Sequence, residues 1–464
     1  MIPAVALGAP PAASVPLGEA LPVWAIAPFA GMLLSIALLP LLSPHFWRHH
    51  YPKVALAWGL AFAVPFLAAH GGGARHEFLH VALVDYVPFI TLLWALFTVS
   101  GGIVVRGTPR ATPAVNTALL AVGTVAASWI GTTGAAMLLV RPLLRANAGR
   151  RRASHVVVFF IFLVANVGGV LTPLGDPPLF LGFLHGIPFF WTLHLAPHFL
   201  FVATLLLAAF YCIDRHRMRR DPGAVETPEE AAPQKVRVRV AGARNLVFAA
   251  GIVAGVLLSG LWKSPSLSVL GVRLEWSDLA REALIAAMGL LSLATTPRAL
   301  RAENGFSWEP IREVAILFAG IFATIIPAIA ILKAGEHGAL GFLVERIREP
   351  WQFFWATGLL SSVLDNAPTY LTFLNVGLGR LYPGLPEASQ IARILAEHPQ
   401  VVEAVSAGAV FMGANTYIGN APNFMVKSIS EEAGMAMPSF FGYLFRWALP
   451  ILVPVFLLAG WIFF

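Results

Sequence analysis

Apolar residues run along this chain in blocks of roughly 20, the length an α-helix needs to cross about 30 Å of hydrocarbon. The pattern predicts membrane spans over residues 23–42, 54–69 and 86–105. The next apolar stretch, 113–144, is divided at Ser128-Trp129-Ile130-Gly131-Thr132-Thr133-Gly134 into two limbs of about 15 residues, each short of a full crossing. Arginines flank it on both sides, so a re-entrant hairpin entering from one side is expected. The segment 155–185 is interrupted by Thr172-Pro173-Leu174-Gly175-Asp176-Pro177-Pro178, where three prolines remove amide donors and clash with the preceding turn. That reads as a broken transmembrane helix. A span over 197–213 follows.

Beyond a polar stretch at 214–244 the plan repeats. Spans are predicted over 245–262, 282–296 and 314–332, a second hairpin over 351–376 with its turn at 361–369, a second broken helix over 402–426 interrupted at 413–423, and a last span over 443–463. The fold class is therefore an all-α polytopic membrane protein. Each half crosses the bilayer an odd number of times, so the two repeats are inverted. The expected organisation is an exposed N-terminal tail (1–22), a first repeat (23–213), a cytoplasmic linker (214–244) and a second repeat (245–464). Placing the linker in the cytoplasm puts most of the 31 Lys and Arg on that side, as the positive-inside rule requires, with both termini outward.

Composition agrees with lipid as the solvent: 58% of residues are hydrophobic and 12% charged, more apolar surface than a soluble core of this size uses. The 13 Trp suit two aromatic interfaces. The net charge of +7 lies in Arg clusters between apolar runs and acts as a topology signal, so no nucleic-acid partner is expected. The N-terminus has no basic start to its apolar part and does not read as a secretory signal. The lone Cys212 excludes an internal disulfide and a cysteine metal site, and reads as a buried bystander.

The four interruptions hold the candidate chemistry. Backbone that is not helical at membrane depth is tolerated only where protein or a water-filled cavity satisfies it, and such places bind ions. The first pair of breaks contains Thr132, Thr133, Asn166, Thr172 and Asp176. The second contains Ser361, Ser362, Asp365, Asn366, Thr369, Asn415, Thr416, Asn420 and Asn423. Asp176 and Asp365 are singled out as sodium ligands, because an ionisable group at the bilayer centre is costly and points to function. The plain alternative is that each caps a short helix. For the Asn and Thr residues it is interhelical hydrogen bonding, and Asn166-Val167-Gly168-Gly169 reads equally as a packing face. Asp85 is expected to be a solvated cap, and the histidines, as in Arg48-His49-His50 and 76–80, are assigned to the interface.

The strings Gly168-Gly169-Val170-Leu171-Thr172-Pro173-Leu174-Gly175-Asp176-Pro177-Pro178, 361–369 with its Asp-Asn-x-Pro core, and 413–423 resemble the ion transporter superfamily. That superfamily includes NhaD-type sodium/proton antiporters, CitMHS citrate transporters, arsenite carriers and sodium-coupled dicarboxylate carriers. The resemblance covers nearly the whole chain and implies two scaffold regions, two transport regions of hairpin plus broken helix, an elevator-like movement and a homodimer. On its pattern Thr132 and Thr133 match the first hairpin tip, Asp365 and Asn366 the second, and Asp176 and Asn415 the unwound segments. The Gly-Thr-Thr-Gly tip departs from relatives, which often place Asn or Asp-Asn there, and so puts a full cation ligand set at that tip in question.

The leading expectation is sodium/proton antiport, because a membrane carboxylate alternately holding a proton or a cation couples their opposite fluxes. The alternative is citrate or another di- or tricarboxylate carried by symport. No organic cofactor is expected, and the chain has no phosphate-binding Gly-x-x-x-x-Gly-Lys-Ser/Thr loop. A channel needs an open file of ligands. An intramembrane enzyme needs a nucleophile with a base, and Ser100-Gly101-Gly102 has no such partner in a span. The expected setting is the bacterial inner membrane, with lipid and a small ion or carboxylate as partners.

Overall fold

The computed structural model describes residues 17–107, 111–150, 152–220 and 239–464. The start of the expected tail and most of the expected linker lie outside the described residues. Short α1 (Leu17–Ala20) leads through a 3-10 turn into α2 (Ala27–Leu42) and then α3 (Pro44–His80), a π turn (Val81–Tyr86) and α4 (Val87–Ser100). Pro44–Ser100 is a 57-residue helical stretch, about twice one crossing, interrupted at Gly71. Gly71, at φ +51, reverses it, a backbone conformation open to glycine. Phe62 and Phe66 then lie 5.8 and 5.9 Å from Phe78, so the two limbs run side by side. The third expected span ends early: Val104–Arg106 is strand β1, paired antiparallel with β2 (Arg239–Ala241).

Next come α5 (Pro113–Ile130) and α6 (Thr132–Ala146), α7 (Ser154–Leu163), a 3-10 turn (Val167–Leu171), α8 (Pro177–Leu184), another 3-10 turn (Phe189–Leu195) and α9 (Ala196–Met218). Thr112 caps α5 by accepting from the Val115 amide at 3.2 Å, and Gly131 at φ +78 makes the turn into α6 in a single residue. The second half has α10 (Arg244–Leu261), a hairpin of β3 (Ser266–Val269) and β4 (Val272–Glu275), α11 (Trp276–Thr295), α12 (Arg298–Glu303), α13 (Glu309–Lys333) and α14 (Gly341–Arg346). It continues through α15 (Pro350–Ser361), α16 (Asn366–Leu381), α17 (Glu387–Glu397), α18 (Pro399–Met412), a 3-10 turn (Gly413–Asn415), α19 (Ala421–Glu432), α20 (Phe440–Tyr443), a π turn (Leu444–Leu452) and α21 (Val453–Phe463). Among the described residues, eight helical segments are long and apolar enough to cross a bilayer. The chain is an all-α polytopic membrane protein, and the order of helix pair, interrupted helix and closing helix occurs twice.

Helices α2, α3, α4, α10, α11 and α13 pack on one another as one group, presenting Leu34, Leu56, Leu60, Val247 and Leu258 outward. Exposed leucines at helical spacing are what lipid-facing surface requires. The interrupted helices lie inside: the segment Ser154–Leu171 is 89% buried. Helix α6 meets α4, and α16 meets α13, so each helix pair docks on this outer group.

Several expectations change at the edges. Residues 17–21 are not an exposed tail: Gly18 is buried, with the carbonyl of Ala330 in α13 where a Cβ would stand, and Leu21 is buried too. Helix α9 continues past the expected linker start to Met218. Cys212 is exposed on α9, not buried. His155 and His198 are buried rather than interfacial, because both sit on inward faces of packed helices.

His155 belongs to a polar clamp. The Asp214 carboxylate accepts from Asn116 at 3.0 Å, lies 2.8 Å from His155 Nε2 and 2.6 Å from an Arg150 nitrogen, while Asn116 and Asn147 exchange bonds at 3.1 and 2.9 Å. Helix α5, the end of α6, the start of α7 and α9 are tied together at one end of the molecule. Removing one partner from a buried ion pair strands the other charge at a cost of about 3–5 kcal/mol. Asp214→Ala is expected to lower the thermal unfolding temperature in detergent strongly, and Asp214→Asn by less, since it keeps an acceptor for Asn116. Equal melting of Asp214→Ala and wild type would refute the clamp.

Candidate functional site

Asp176 is fully enclosed at the start of α8. Its Oδ1 accepts from Thr132 Oγ1 at 2.9 Å and from Asn420 Nδ2 at 3.0 Å, and its Oδ2 accepts from Asn366 Nδ2. Thr132 and Asn366 are the first residues of α6 and α16, while Asp176 and Asn420 are the caps of α8 and α19. Four helix N-termini, each with a positive dipole end, therefore converge on one carboxylate. The Thr132 amide also donates to Gly175 O at 2.8 Å, fastening the first tip to the first interruption.

Hydrogen bonds around the two interruptions match in pairs. Thr172 donates to Ser128 O, and Thr416 to Ser362 O at 2.7 Å. Ser128 donates to Gly168 O, and Ser362 to Met412 O at 3.3 Å. The amides of Leu174 and Ile418 donate to the same threonine hydroxyls at 3.2 and 3.1 Å. In sequence this is Thr-x-x-Gly-Asp-x-Pro at 172–178 against Thr-x-x-Gly-Asn-x-Pro at 416–422. Equivalent caps are thus Asp176 and Asn420, and they touch.

The other expected site residues divide. Asn415 donates to Ser362 Oγ at 2.8 Å. Asn166 donates to Asn423 Oδ1 at 2.7 Å, and Asn423 donates to Gly413 O and Thr416 O at 2.9 Å each, so this pair braces one interrupted helix against the other. Asp365 is a half-buried cap of α16, accepting from the Ala367 amide at 3.1 Å. It makes no hydrogen bond to Asp176, but lies close enough for their charges to repel. Thr369 bonds only to the Asp365 carbonyl, one turn back on its own helix. Thr133 is half-buried beside a cavity of about 20 Å³ that also touches Thr132 and Asp176, room for about one water.

Among the described residues four buried asparagine oxygens have no partner: Asn366 Oδ1, Asn415 Oδ1 and Asn166 Oδ1 in the breaks, and Asn375 Oδ1 further along α16. A carboxylate only accepts, so the Asn366 amide must present its nitrogen to Asp176, which leaves its oxygen free. Buried polar atoms are rarely orphaned, and oxygens left over beside a carboxylate are the donor set a dehydrated hard cation uses. Among the described residues, no group of three or more His, Cys, Asp or Glu gathers into a metal site. An alkali cation here would rest on one carboxylate and neutral oxygens.

A second polar cluster escaped the sequence reading. Asp85 is buried, not a solvated cap, because the π turn carries it inward to 3.4 Å from His185 Nε2. His185 Nδ1 meets Glu387 at 2.5 Å, and Lys333 reaches the other Glu387 oxygen at 2.9 Å. The cluster joins the end of α8 and the start of α17 to α13 and the π turn of the outer group. Nothing in a linear scan pairs these residues, which come from four separated segments. Burial opposes charge on His185, but Glu387 and Asp85 outweigh it and hold its pKa above the usual value. Burial likewise opposes charge on Glu387, but His185 and Lys333 hold its carboxyl well below the usual range.

The sign follows from these directions. A raised histidine pKa adds stability that is complete below about pH 6.5 and is lost as pH rises through the raised value. A depressed carboxyl adds stability above about pH 4.5 that is lost in stronger acid. The bridge is therefore strongest in the mildly acidic window between them. Hydrogen exchange in α17 is expected to quicken on moving from about pH 6 to about pH 9, after correction for intrinsic rates, and this excess should vanish in His185→Gln. An unchanged excess in that variant would exclude His185 as the source.

A comparison with curated proteins finds no match. Residues 18–464 match the family described as "Putative citrate transport". A match over nearly the whole chain, on a polytopic helical fold with two interrupted helices meeting at a buried carboxylate, means that the protein belongs to this family.

Proposed function

We propose that the protein is a secondary transporter that exchanges sodium for protons at Asp176. The observation that carries the proposal is the pairing of an enclosed carboxylate with unpartnered amide oxygens of Asn366 and Asn415 in neighbouring breaks. A proton on Asp176 neutralises the carboxylate; a sodium ion does the same while drawing on the free oxygens. The two cargoes exclude each other, which is sufficient for antiport. The Thr132, Asn366 and Asn420 donors replace water around the ionised carboxylate. Asp365, on the half-buried tip beside them, is a second cation ligand in this reading.

In the same proposal the α5–α6 and α15–α16 pairs are re-entrant hairpins in inverted repeats, and with the interrupted helices they move elevator-like against the outer group. The separate packing of that group, and the docking of α6 and α16 on it, support this division. The proposed setting is a bacterial inner membrane with the linker in the cytoplasm; a homodimer rests on resemblance alone.

A second reading, symport of a di- or tricarboxylate, is favoured by the family's description and by the four positive helix ends around Asp176. Vesicles separate the two. With a sodium gradient imposed and no organic anion present, exchange is expected to move internal pH, and Asp176→Asn to reduce the change to background while the protein still folds. Asp365→Asn is expected to abolish coupling as well. Sodium-driven uptake of labelled citrate without any pH change in its absence would replace exchange by symport, and wild-type rates in Asp176→Asn would refute both.

A further inference from the structure

The clamped end of the molecule carries a cavity of about 670 Å³, within the roughly 300–1,000 Å³ of small-molecule sites. Its wall includes Arg141 and Arg145 from α6, Arg150 and Arg152 before α7, Arg217 from α9 and Glu303 from α12. The charges do not cancel. Glu303 is engaged by Arg106, outside this wall, through two bonds of 2.8 and 2.6 Å. Arg141 Nε donates to the Asn304 carbonyl and Arg145 to the Val105 carbonyl, each at 2.8 Å, and Arg217 lies 4.8 Å from the Trp447 ring. Those partners orient guanidinium groups without neutralising them. Glu432 offsets part of the charge on Arg141.

Arg150 is the decisive member. Its side chain is 5% exposed and borders the cavity, it shares Asp214 with His155, its Nη1 donates to Asn147 Oδ1 at 3.1 Å, and among the described residues its buried Nε has no hydrogen-bond partner. A buried guanidinium with an unused donor, among further arginines held by neutral groups, favours an added acceptor. The N-terminus of α7 opens at Ser154 on the same wall, adding a positive dipole end.

We infer that this cavity binds a multivalent oxyanion, a soluble carboxylate or phosphate or the phosphate of a lipid headgroup. The site is separate from Asp176: Thr132 touches that carboxylate, and Arg145 lies thirteen positions further along α6, about 20 Å at 1.5 Å per residue. It holds whichever ion Asp176 handles. An anion seated here would tie α6 and α9 to the turn before α7, whose arginines share the wall.

The test titrates citrate, and separately inorganic phosphate, into the full-length protein in phosphatidylcholine nanodiscs, then repeats both with phosphatidylglycerol present. Arg145 and Arg152 are exposed and outside the clamp, so Arg145→Gln/Arg152→Gln should fold normally. Arg215→Gln/Arg298→Gln removes the same charge away from the cavity. Saturable binding is expected, roughly tenfold weaker in the first double variant and unchanged in the second. Retention of phosphatidylglycerol that blocks the soluble anions, and is lost in the first variant alone, assigns the site to a lipid headgroup. Absence of saturable binding or lipid retention, or equal weakening in both variants, overturns the inference.

Discussion

A carboxylate sealed away from water must find its solvation in the protein, and the architecture around Asp176 follows from that need. Side chains can reach it from several helices only if those helices start in the middle of the molecule. Two helix pairs turn there, and two long helices are interrupted there. Each device presents an N-terminus, and with it Thr132, Asn366, Asn420 or the cap position of Asp176 itself. The interruptions expose backbone groups, and the paired Thr172 and Thr416 hydroxyls accept from their amides while the Ser128 and Ser362 hydroxyls donate to their carbonyls. Lipid-facing helices then have one task, to enclose the whole.

Much of this was legible in the sequence because it is local. Breakers inside apolar runs mark the four interruptions, and the polar residues between them include every side chain that bonds to Asp176. Two finer signals were also present. The recurrence of Thr-x-x-Gly-Asp/Asn-x-Pro aligns the halves residue by residue, and it makes Asn420, not Asp365, the equivalent of Asp176. Val202, Leu206, Phe210 and Asp214 fall on one helical stripe, so the apparent first residue of a linker lies on the buried face of α9.

Other features were not legible, because they depend on long-range packing. Asp85, His185, Lys333 and Glu387 meet only once four segments are assembled. The reversal at Gly71 was not legible either, since three consecutive glycines signal a break without saying that helix continues on both sides. Asp365 is a mixed case: the sequence offers it both as a ligand and as a helix cap, and its carboxylate caps α16 by accepting from the Ala367 amide.

The contact between Asp176 and Asn420 bears on leakage. Two symmetric acids at these caps would repel one another, and two amides would carry no charge; an acid beside an amide leaves a single negative charge on the pair of caps. In an exchanger one monovalent passenger, proton or metal, discharges that pair, and a discharged pair passes through hydrocarbon at far lower electrostatic cost than a vacant one. Unequal residues at equivalent positions thus supply a means of penalising the journey made empty-handed.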